Sequence, residues 1–292
     1  MTLCETFKRR SSSSWNLLSK ARKVDTQLLE ETLTDVNLLE LKVKHPGEVI
    51  TETFTKPREG QTGADWEWWF TGASGLWLGF RVQAKIIRLQ SGEYEHLHYK
   101  NPHSAFFQSD LLIQSALSNS PPLIPLYCLY SNWHGRRVST SWPCGTFKRN
   151  VRNYGCSLIS AFSVKYLRAK GGAKDLKSVL PYMRPWHCLV CCEGFGMGDL
   201  PQRAFSYWEH KVKSSEREIL TSLDAGVQAD ITGAQSNFLG LYENIQPVQN
   251  PPNYVIRLLE GLPIEAPDES LRHITIFREL GQLEVARIQR RA

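Results

Sequence analysis

Two neighbouring segments of the chain, residues 64–70 and 77–87, alternate between polar and apolar side chains with the two-residue period of a β-strand. Each segment therefore has one polar face and one apolar face, and a connection of four residues bounded by glycines predicts a hairpin between them. The polar faces carry Asp65 and Glu67 in the first strand and Arg81, Gln83 and Lys85 in the second. A register shift of one residue would bury the wrong face, so this pattern restricts the fold strongly.

The flanking segments predict the order helix, three strands, helix, strand. The predicted elements are a helix from Asp25 to His45 with Leu29, Leu33, Val36 and Leu39 or Leu41 on its apolar face, strands at 49–55, 64–70 and 77–87, a helix at 104–117 and a strand at 123–130. Further along, the pattern predicts helices at 156–167, 202–213 and 254–260 and strands at 188–192 and 273–279. This order indicates an α/β layer sandwich rather than a regular βαβ winding.

We divide the chain into three parts. Residues 1–24 form a helical lead-in, residues 25–200 a core domain, and residues 201–292 a C-terminal extension that we expect to pack on the same domain. The segment 223–253 is rich in Gly, Asn, Gln and Pro and is typical of a surface connection.

Composition narrows the class of protein. The chain has 292 residues and a formal net charge of +6, which allows a polyanionic partner without requiring one. Its apolar runs are far shorter than the roughly 18 residues of a membrane span, so we expect no membrane partner. The seven cysteines have no regular spacing and the N-terminus has no apolar signal core, so we expect a reducing, cytoplasmic location.

The two polar faces contain the ligands of a hard divalent cation. Mg²⁺ binds one or two carboxylates, carbonyl oxygens and water, and it bridges to substrate phosphate. Asp65, Glu67 and the Ala84 carbonyl are candidate ligands, and Gln83 completes the set. A lysine in the position of Lys85 can orient the attacking water and offset the developing negative charge.

A carboxylate on one strand, followed by a strand that ends in Gln83-Ala84-Lys85 and preceded by an acidic helix, resembles the PD-(D/E)xK nuclease superfamily. The glutamine form is similar to the Mrr-like restriction endonucleases. The phrase Gly63-Ala64-Asp65-Trp66-Glu67-Trp68-Trp69, together with the acidic helix, also resembles an uncharacterised bacterial family thought to belong to that superfamily. The resemblance implies a restriction-endonuclease-like α-β-β-β-α-β core, with a mixed sheet flanked by helices and a C-terminal extension.

The resemblance also implies roles for individual residues. Asp65 matches the central metal ligand, Gln83 the second carboxylate, Lys85 the catalytic lysine and Glu31 the helix acid, with Asp35 as its rival. The implied cofactor is Mg²⁺ or Mn²⁺, bound by Asp65, Glu67 and the Ala84 carbonyl. Gln83 removes one negative charge from such a site, and Glu67 could restore it.

The implied activity is a metal-dependent nuclease that hydrolyses phosphodiester bonds in nucleic acid. The expected substrate is DNA, the implied setting is restriction or anti-phage defence, and double-strand cutting would suit a homodimer. The alternative is a catalytically inactive module of the same fold that binds nucleic acid or forms a complex.

A basic segment is the candidate surface for phosphates. It contains Lys165, Arg168, Lys170 and Lys174, and Arg136 and Arg137 could join it. The tryptophan run at 66–69 is more typical of core packing than of base stacking, although Trp69 shares a face with Asp65.

Two other motifs have alternative readings. His187-Cys188 with Cys191-Cys192 could bind zinc, but the pattern lacks a second pair at the usual spacing and favours structural cysteines. The glycine-rich stretch 194–198 is interpreted as a loop, with an unrelated α/β enzyme that binds a nucleotide there as the alternative.

Overall fold

The computed structural model describes the chain except for residues 55–62, 101–105, 136–143, 192–197, 215, 217–235, 269 and 282–292. The described α-helices are α1 (Leu3–Lys23), α2 (Glu30–Lys44), α3 (Gln108–Leu117), α4 (Ala161–Ala169), α5 (Leu176–Val179), α6 (Cys188–Cys191), α7 (Leu200–Trp208), α8 (Ser236–Glu243) and α9 (Asn253–Leu259). The strands are β1 (Val49–Thr53), β2 (Trp66–Thr71), β3 (Trp77–Ile86), β4 (Ile124–Tyr130), β5 (Cys156–Ser160), β6 (Arg184–Pro185) and β7 (His273–Arg278).

The described strands form one seven-stranded mixed sheet in the order β1-β7-β2-β3-β4-β5-β6. Strands β2 and β3 form the predicted antiparallel hairpin, in which Glu67 is directly opposite Arg81. Strand β4 lies parallel to β3, as the crossover through α3 requires. The chain is thus an α/β protein with a mixed sheet and flanking helices, and α2-β1-β2-β3-α3-β4 follow each other in the predicted order.

The C-terminal part of the chain contributes a strand to the inside of this sheet. Strand β7 pairs antiparallel with β1 and parallel with β2, so it separates two strands that are consecutive in sequence. We expected the residues beyond 200 to pack on the core domain as an extension. They also supply an interior strand of its sheet.

Helices cover both faces of the sheet. On one face, the Phe7 ring of α1 packs against Trp68 at a centroid distance of 6.3 Å, and Thr34 of α2 hydrogen-bonds the Tyr130 hydroxyl at 2.8 Å. On the other face, Arg81 donates to the carbonyl of Ser115 in α3 at 3.2 Å. Both faces of β2 and β3 are buried in consequence.

The tryptophan run belongs to the core. Trp66, Trp68 and Trp69 are all at most 2% exposed. Trp69, which shares a face with Asp65, donates its indole N–H to Glu67 at 3.1 Å and is fully buried. Core packing is therefore the role of these rings, and Trp69 offers no surface on which a base could stack.

Two predicted elements differ from the structure. The segment expected as one helix from residue 156 to 167 begins as strand β5 and becomes helix α4 only at Ala161, because Ser160 caps the helix by accepting from the Phe162 amide at 3.1 Å. The strand expected at 188–192 is the short helix α6, whose Cys191 forms a disulfide with Cys4 of α1.

None of the helices in the described ranges combines the length and apolar character of a membrane span.

Candidate functional site

Asp65 lies directly before β2, where the hairpin register places it against the end of β3. Its amide donates to the Val82 carbonyl at 2.8 Å. Its Oδ2 accepts from the Gln83 side chain at 2.6 Å and from the Ala84 amide at 2.7 Å. Burial raises the pKa of Asp65, while the positive charge of Lys85 lowers it. The carboxylate is thus held rigidly at the point where Gln83, Ala84 and Lys85 follow one another.

The Gln83 side-chain amide is fixed by three partners. Its nitrogen donates to Asp65 and also to the Ala84 carbonyl at 3.1 Å, and its oxygen accepts from the Gln108 side chain of α3 at 2.8 Å. A flipped amide would turn its oxygen toward the Asp65 carboxylate, so this orientation is determined by the hydrogen bonds. Gln83 therefore orients Asp65, and its oxygen is engaged with Gln108.

Lys85 is buried beside two carboxyl groups. Its side chain is 6% exposed, and its charge offsets part of the rise that burial causes in the pKa of Asp65 and of Glu30. Within the described ranges, the Lys85 ammonium makes neither an ion pair within 4 Å nor a hydrogen bond to another side chain. A buried ammonium of this kind is able to bind an incoming anion or a water molecule.

Helix α2 contributes two acids to the site, the predicted Glu31 and its neighbour Glu30, whereas the predicted rival Asp35 does not line the pocket at this site. Burial raises the pKa of Glu30, and the positive charge of Lys85 offsets only part of that rise. Its Oε2 is buried without a hydrogen-bond partner in the described structure. Glu31 is half-exposed and pairs with Arg272 at 3.3 Å, and Asp35 is exposed.

Helix periodicity explains why Glu30 lies on the buried face of α2. The buried residues of α2 are Leu33, Thr34, Asn37 and Leu41, which lie three, four, seven and eleven residues after Glu30. That spacing places all of them on one helix face together with Glu30. Of the predicted apolar face, Leu33 and Leu41 are buried, whereas Leu29 and Leu39 are 64% and 62% exposed.

Asp65 and Glu30 meet in a small pocket, whose lining does not include Gln83 or Lys85. The cavity volume is about 30 Å³, and the lining residues are Glu30, Glu31, Thr34, Asp65, Trp66, Ala84, Arg272 and His273. A cavity needs at least about 10–15 Å³ to hold one water molecule, so this pocket has room for an ion or for one or two waters.

One wall of the pocket is formed by Arg272 and His273, at the start of β7. The sequence did not predict these two residues as part of the site. The Arg272 amide donates to the Asp65 carbonyl at 2.8 Å, which holds the end of β7 against the site. Next to it, His273 stacks on Trp66 at 5.4 Å, and burial lowers the pKa of His273 to about 3, so its ring is neutral. The sequence gives only a weak indication that Arg272 and His273 belong to the site, because they are more than 180 residues from Lys85.

Glu67 does not reach the pocket, although it was a predicted metal ligand. Its carboxylate is fully buried and accepts from Arg81 Nε at 3.1 Å and Nη2 at 2.6 Å. The Trp69 indole and the Tyr254 hydroxyl donate to its second oxygen at 3.1 and 2.7 Å. Both oxygens are therefore used by protein donors, and Glu67 does not restore the charge that Gln83 lacks.

The predicted basic surface is largely engaged in ion pairs. Lys165 and Arg168 pair with Asp110 of α3 at 3.3 and 3.0 Å, and Lys165 is 5% exposed. Lys174 pairs with Glu93 at 3.3 Å. Lys170 is exposed, and Arg136 and Arg137 lie outside the described residues. The pairs of Lys165 and Arg168 connect α4 to α3, so these two side chains are not a free phosphate-binding surface.

The pocket residues fit a hard divalent cation. The carboxylates of Asp65 and Glu30 and the carbonyl of Ala84 are oxygen ligands of the kind that Mg²⁺ and Mn²⁺ prefer. The buried Glu30 Oε2, which has no hydrogen-bond partner among the described residues, is an unsatisfied acceptor that such an ion would satisfy.

The chain matches the model of a protein family over residues 3–282, and that family is described as a family of unknown function, DUF6615. The chain belongs to the DUF6615 family. The match begins in α1 and runs past β7, so the family model includes both the Asp65–Lys85 segment and the strand that supplies Arg272. No curated protein matches the chain.

Proposed function

We propose that this DUF6615 protein is a metal-dependent nuclease that hydrolyses phosphodiester bonds in nucleic acid, with DNA as the expected substrate. The observation that carries the proposal is the meeting of Asp65, Glu30 and Ala84 in the lining of one pocket, with the charge of the buried Lys85 acting on both carboxyl groups. In support, the carboxylate precedes β2 and Gln83-Ala84-Lys85 lies near the end of β3, as in a restriction-endonuclease-like core.

The proposed metal ligands are Asp65, Glu30 and the Ala84 carbonyl. A bound Mg²⁺ or Mn²⁺ would polarise the phosphate and neutralise charge on its oxygens. Gln83 keeps Asp65 in place through its 2.6 Å hydrogen bond and through its own contact with Gln108. The amide thus contributes positioning, and Glu30 supplies the second negative charge that the glutamine lacks.

The reaction is the attack of water on phosphorus with cleavage of the bond to the leaving oxygen. In this proposal Lys85 orients that water and offsets negative charge as the bond to phosphorus forms. Arg272, whose side chain is 39% exposed and pairs with Glu31, would exchange that partner for a phosphate of the substrate. Both groups would stabilise charge that develops in the transition state.

The test is a cleavage assay on supercoiled DNA, linear DNA and RNA with Mg²⁺ or Mn²⁺. We expect Asp65→Asn, Glu30→Gln and Lys85→Met each to lower the rate by at least about 100-fold. Glu31→Gln should lower it less than Glu30→Gln. Glu52→Gln, on the exposed side of β1, is the matched control and should keep the wild-type rate.

Equal cleavage by the wild type and the Asp65 and Lys85 variants would mean that a contaminant cuts the substrate, and the proposal would be rejected. Loss of activity in Glu31→Gln with full activity in Glu30→Gln would reject Glu30 as the helix acid. Cleavage of RNA without cleavage of DNA would keep the chemistry and replace the expected substrate.

The second candidate is an inactive member of the same fold that binds nucleic acid. The glutamine at position 83 favours it, because the amide removes a charge and its oxygen is already bonded to Gln108. Binding of DNA without cleavage under all metal conditions, weakened by Arg272→Ala, would support this candidate over the nuclease.

The biological setting remains part of the proposal. Restriction or anti-phage defence in the cytoplasm follows from the resemblance to restriction endonucleases, and a homodimer would suit cleavage of both strands. Protection of cells against phage infection that is lost with Lys85→Met, and the mass of the protein in solution, would test these two expectations.

A further inference from the structure

A second group of metal-binding side chains lies apart from the pocket described above. It consists of Cys144, His187 and Cys188, whose ligand atoms all lie within 4.8 Å of one another. All three residues are buried. Cys144 comes from the connection between β4 and β5, whereas His187 and Cys188 lie at the start of α6. Sequence spacing alone could not show this group, because more than 40 residues separate Cys144 from His187.

Contacts outside the group hold the two segments together. The Thr146 hydroxyl donates to the Cys191 carbonyl at 2.8 Å, and the Phe147 ring meets the His187 ring edge-on at 5.4 Å. The Phe147 amide also donates to Cys144 Sγ at 3.3 Å. An N–H bond to sulfur favours the thiolate, which is the form that binds metal.

His187 gives independent evidence for a ligand. Its side chain is fully buried, and neither ring nitrogen has a hydrogen-bond partner in the described part of the chain. Buried polar atoms in folded proteins nearly always have partners, because an unsatisfied group loses its contacts with water without replacement. A metal ion bound to one of the ring nitrogens would provide the missing partner.

We propose that Cys144, His187 and Cys188 bind a zinc ion. Zinc–sulfur and zinc–nitrogen bonds of about 2.3 and 2.0 Å place tetrahedral ligand atoms about 3.6 Å apart, so the observed group needs to contract by little more than about 1 Å. Two thiolates and an imidazole select zinc over Mg²⁺, which prefers oxygen. Cys191 is bonded to Cys4, so it is not available as a further ligand.

The first test uses the wild-type protein, because it needs no substitution. The full chain is stripped of metal with a chelator and titrated with Co²⁺, which reports ligands by its spectrum. We expect one equivalent to bind with thiolate-to-cobalt charge-transfer absorption and the intense visible bands of a tetrahedral site, and Zn²⁺ to displace it. Binding without charge-transfer absorption, or no binding, would overturn the proposal.

The second test compares substitutions of the proposed ligands with substitution of a buried cysteine outside the group. Cys144→Ser, Cys188→Ser and His187→Gln should weaken zinc binding by at least about 100-fold, since loss of an outer partner alone costs about 10- to 100-fold. Cys128→Ser, in buried β4, should bind zinc like the wild type. A folded Cys188→Ser protein with wild-type affinity would overturn the assignment.

If the ligand variants fail to fold, X-ray absorption of the zinc-loaded wild type decides the question. Two sulfur neighbours in the zinc shell would support the site, and a shell of oxygen and nitrogen only would reject it. Zinc content and Mg²⁺-dependent cleavage are separate measurements, so either proposal can fail without the other.

Discussion

Replacing Arg81 with methionine should destabilise the protein severely. Among the described residues, the cationic partner of the fully buried Glu67 carboxylate is Arg81, which contacts it through two nitrogens at 3.1 and 2.6 Å. Methionine keeps much of the side-chain length but removes both donors. Breaking a buried ion pair by removing one partner costs about 3–5 kcal/mol, since the remaining charge is desolvated and uncompensated. We expect the free energy of unfolding to fall by that amount.

Changing the other partner should cost less. In Glu67→Gln, the amide oxygen can still accept from the Tyr254 hydroxyl, and Arg81 keeps its contact with Asp268 at 3.5 Å. The expected loss is about 1.5–3 kcal/mol, the usual value for hydrogen bonds to a charged group. The double variant Arg81→Met/Glu67→Met should lose less than the sum of its single variants, because it leaves no buried charge at position 67 unpaired.

Urea unfolding followed by tryptophan fluorescence and circular dichroism measures these changes, provided that the slope with urea is unchanged. A loss below about 1 kcal/mol in Arg81→Met would refute the reasoning, because ordinary substitutions already reach that value. Additive losses in the double variant would refute the pairing. Loss of metal-dependent cleavage in a folded Glu67→Gln protein would return Glu67 to the metal site.

The remaining predictions concern three other sites. Burial raises the pKa of Glu216 from 4.5 to about 7. The free energy of unfolding of the wild type should therefore fall, relative to that of Glu216→Gln, by about 3 kcal/mol as the pH rises through this range. Urea unfolding at several pH values measures this difference. Gly155→Ala would place a methyl group 1.9 Å from the Ser11 carbonyl of α1, and we expect a loss of at least about 1–3 kcal/mol in unfolding experiments. Arg168→Ala breaks the 3.0 Å pair with Asp110, and it should lower thermal stability while leaving DNA affinity, measured by fluorescence anisotropy, close to that of the wild type.

Matched variants control these three measurements. Asp175→Asn changes an acid at a surface turn and should not reproduce the Glu216 profile, since the pKa of Asp175 is lowered rather than raised. Gly240→Ala adds a methyl group with no atom within 4 Å and should be tolerated. Lys170→Ala removes an exposed charge. If it weakens DNA binding less than Arg168→Ala does, the structural role assigned to Arg168 is wrong.

Most of what the sequence predicted correctly about the fold follows from the two-residue period of its strands. The alternation in residues 64–70 and 77–87 predicted the hairpin that places Asp65 against Gln83 and Ala84, because pairing in a sheet follows directly from two-residue alternation. The neighbouring α3 and β4 also follow in the predicted order. Local patterns were sufficient here because each element has a distinct buried face.

Polar residues on buried faces were the main source of error. Thr34 and Asn37 lie on the buried face of α2, where Thr34 bonds Tyr130 and Asn37 bonds Ser14 at 3.1 Å. Counting apolar residues therefore assigned the exposed Leu29 and Leu39 to the buried face and did not point to Glu30, which lies on it. Glu67 shares a strand face with Asp65, but its pairing with Arg81 depends on the hairpin register.

Contacts between distant segments could not be predicted from one sequence. Neither the disulfide between Cys4 and Cys191 nor the approach of Cys144 to His187 follows from spacing, because each depends on how separate layers pack. The same holds for β7, whose sequence predicts a strand but not its place between β1 and β2.

Because β7 lies inside the sheet, the sheet cannot be completed before the C-terminal part of the chain has been synthesised. As the protein leaves the ribosome, β1 and β2 emerge early, but β7, which pairs with both, is complete only when residue 278 has been synthesised. One edge of each strand therefore stays unpaired while more than 200 further residues are synthesised. The wall formed by Arg272 and His273 arrives with the same strand. An interrupted chain would carry Asp65 and Lys85 without a complete pocket, so the pocket and the sheet are completed by the same strand.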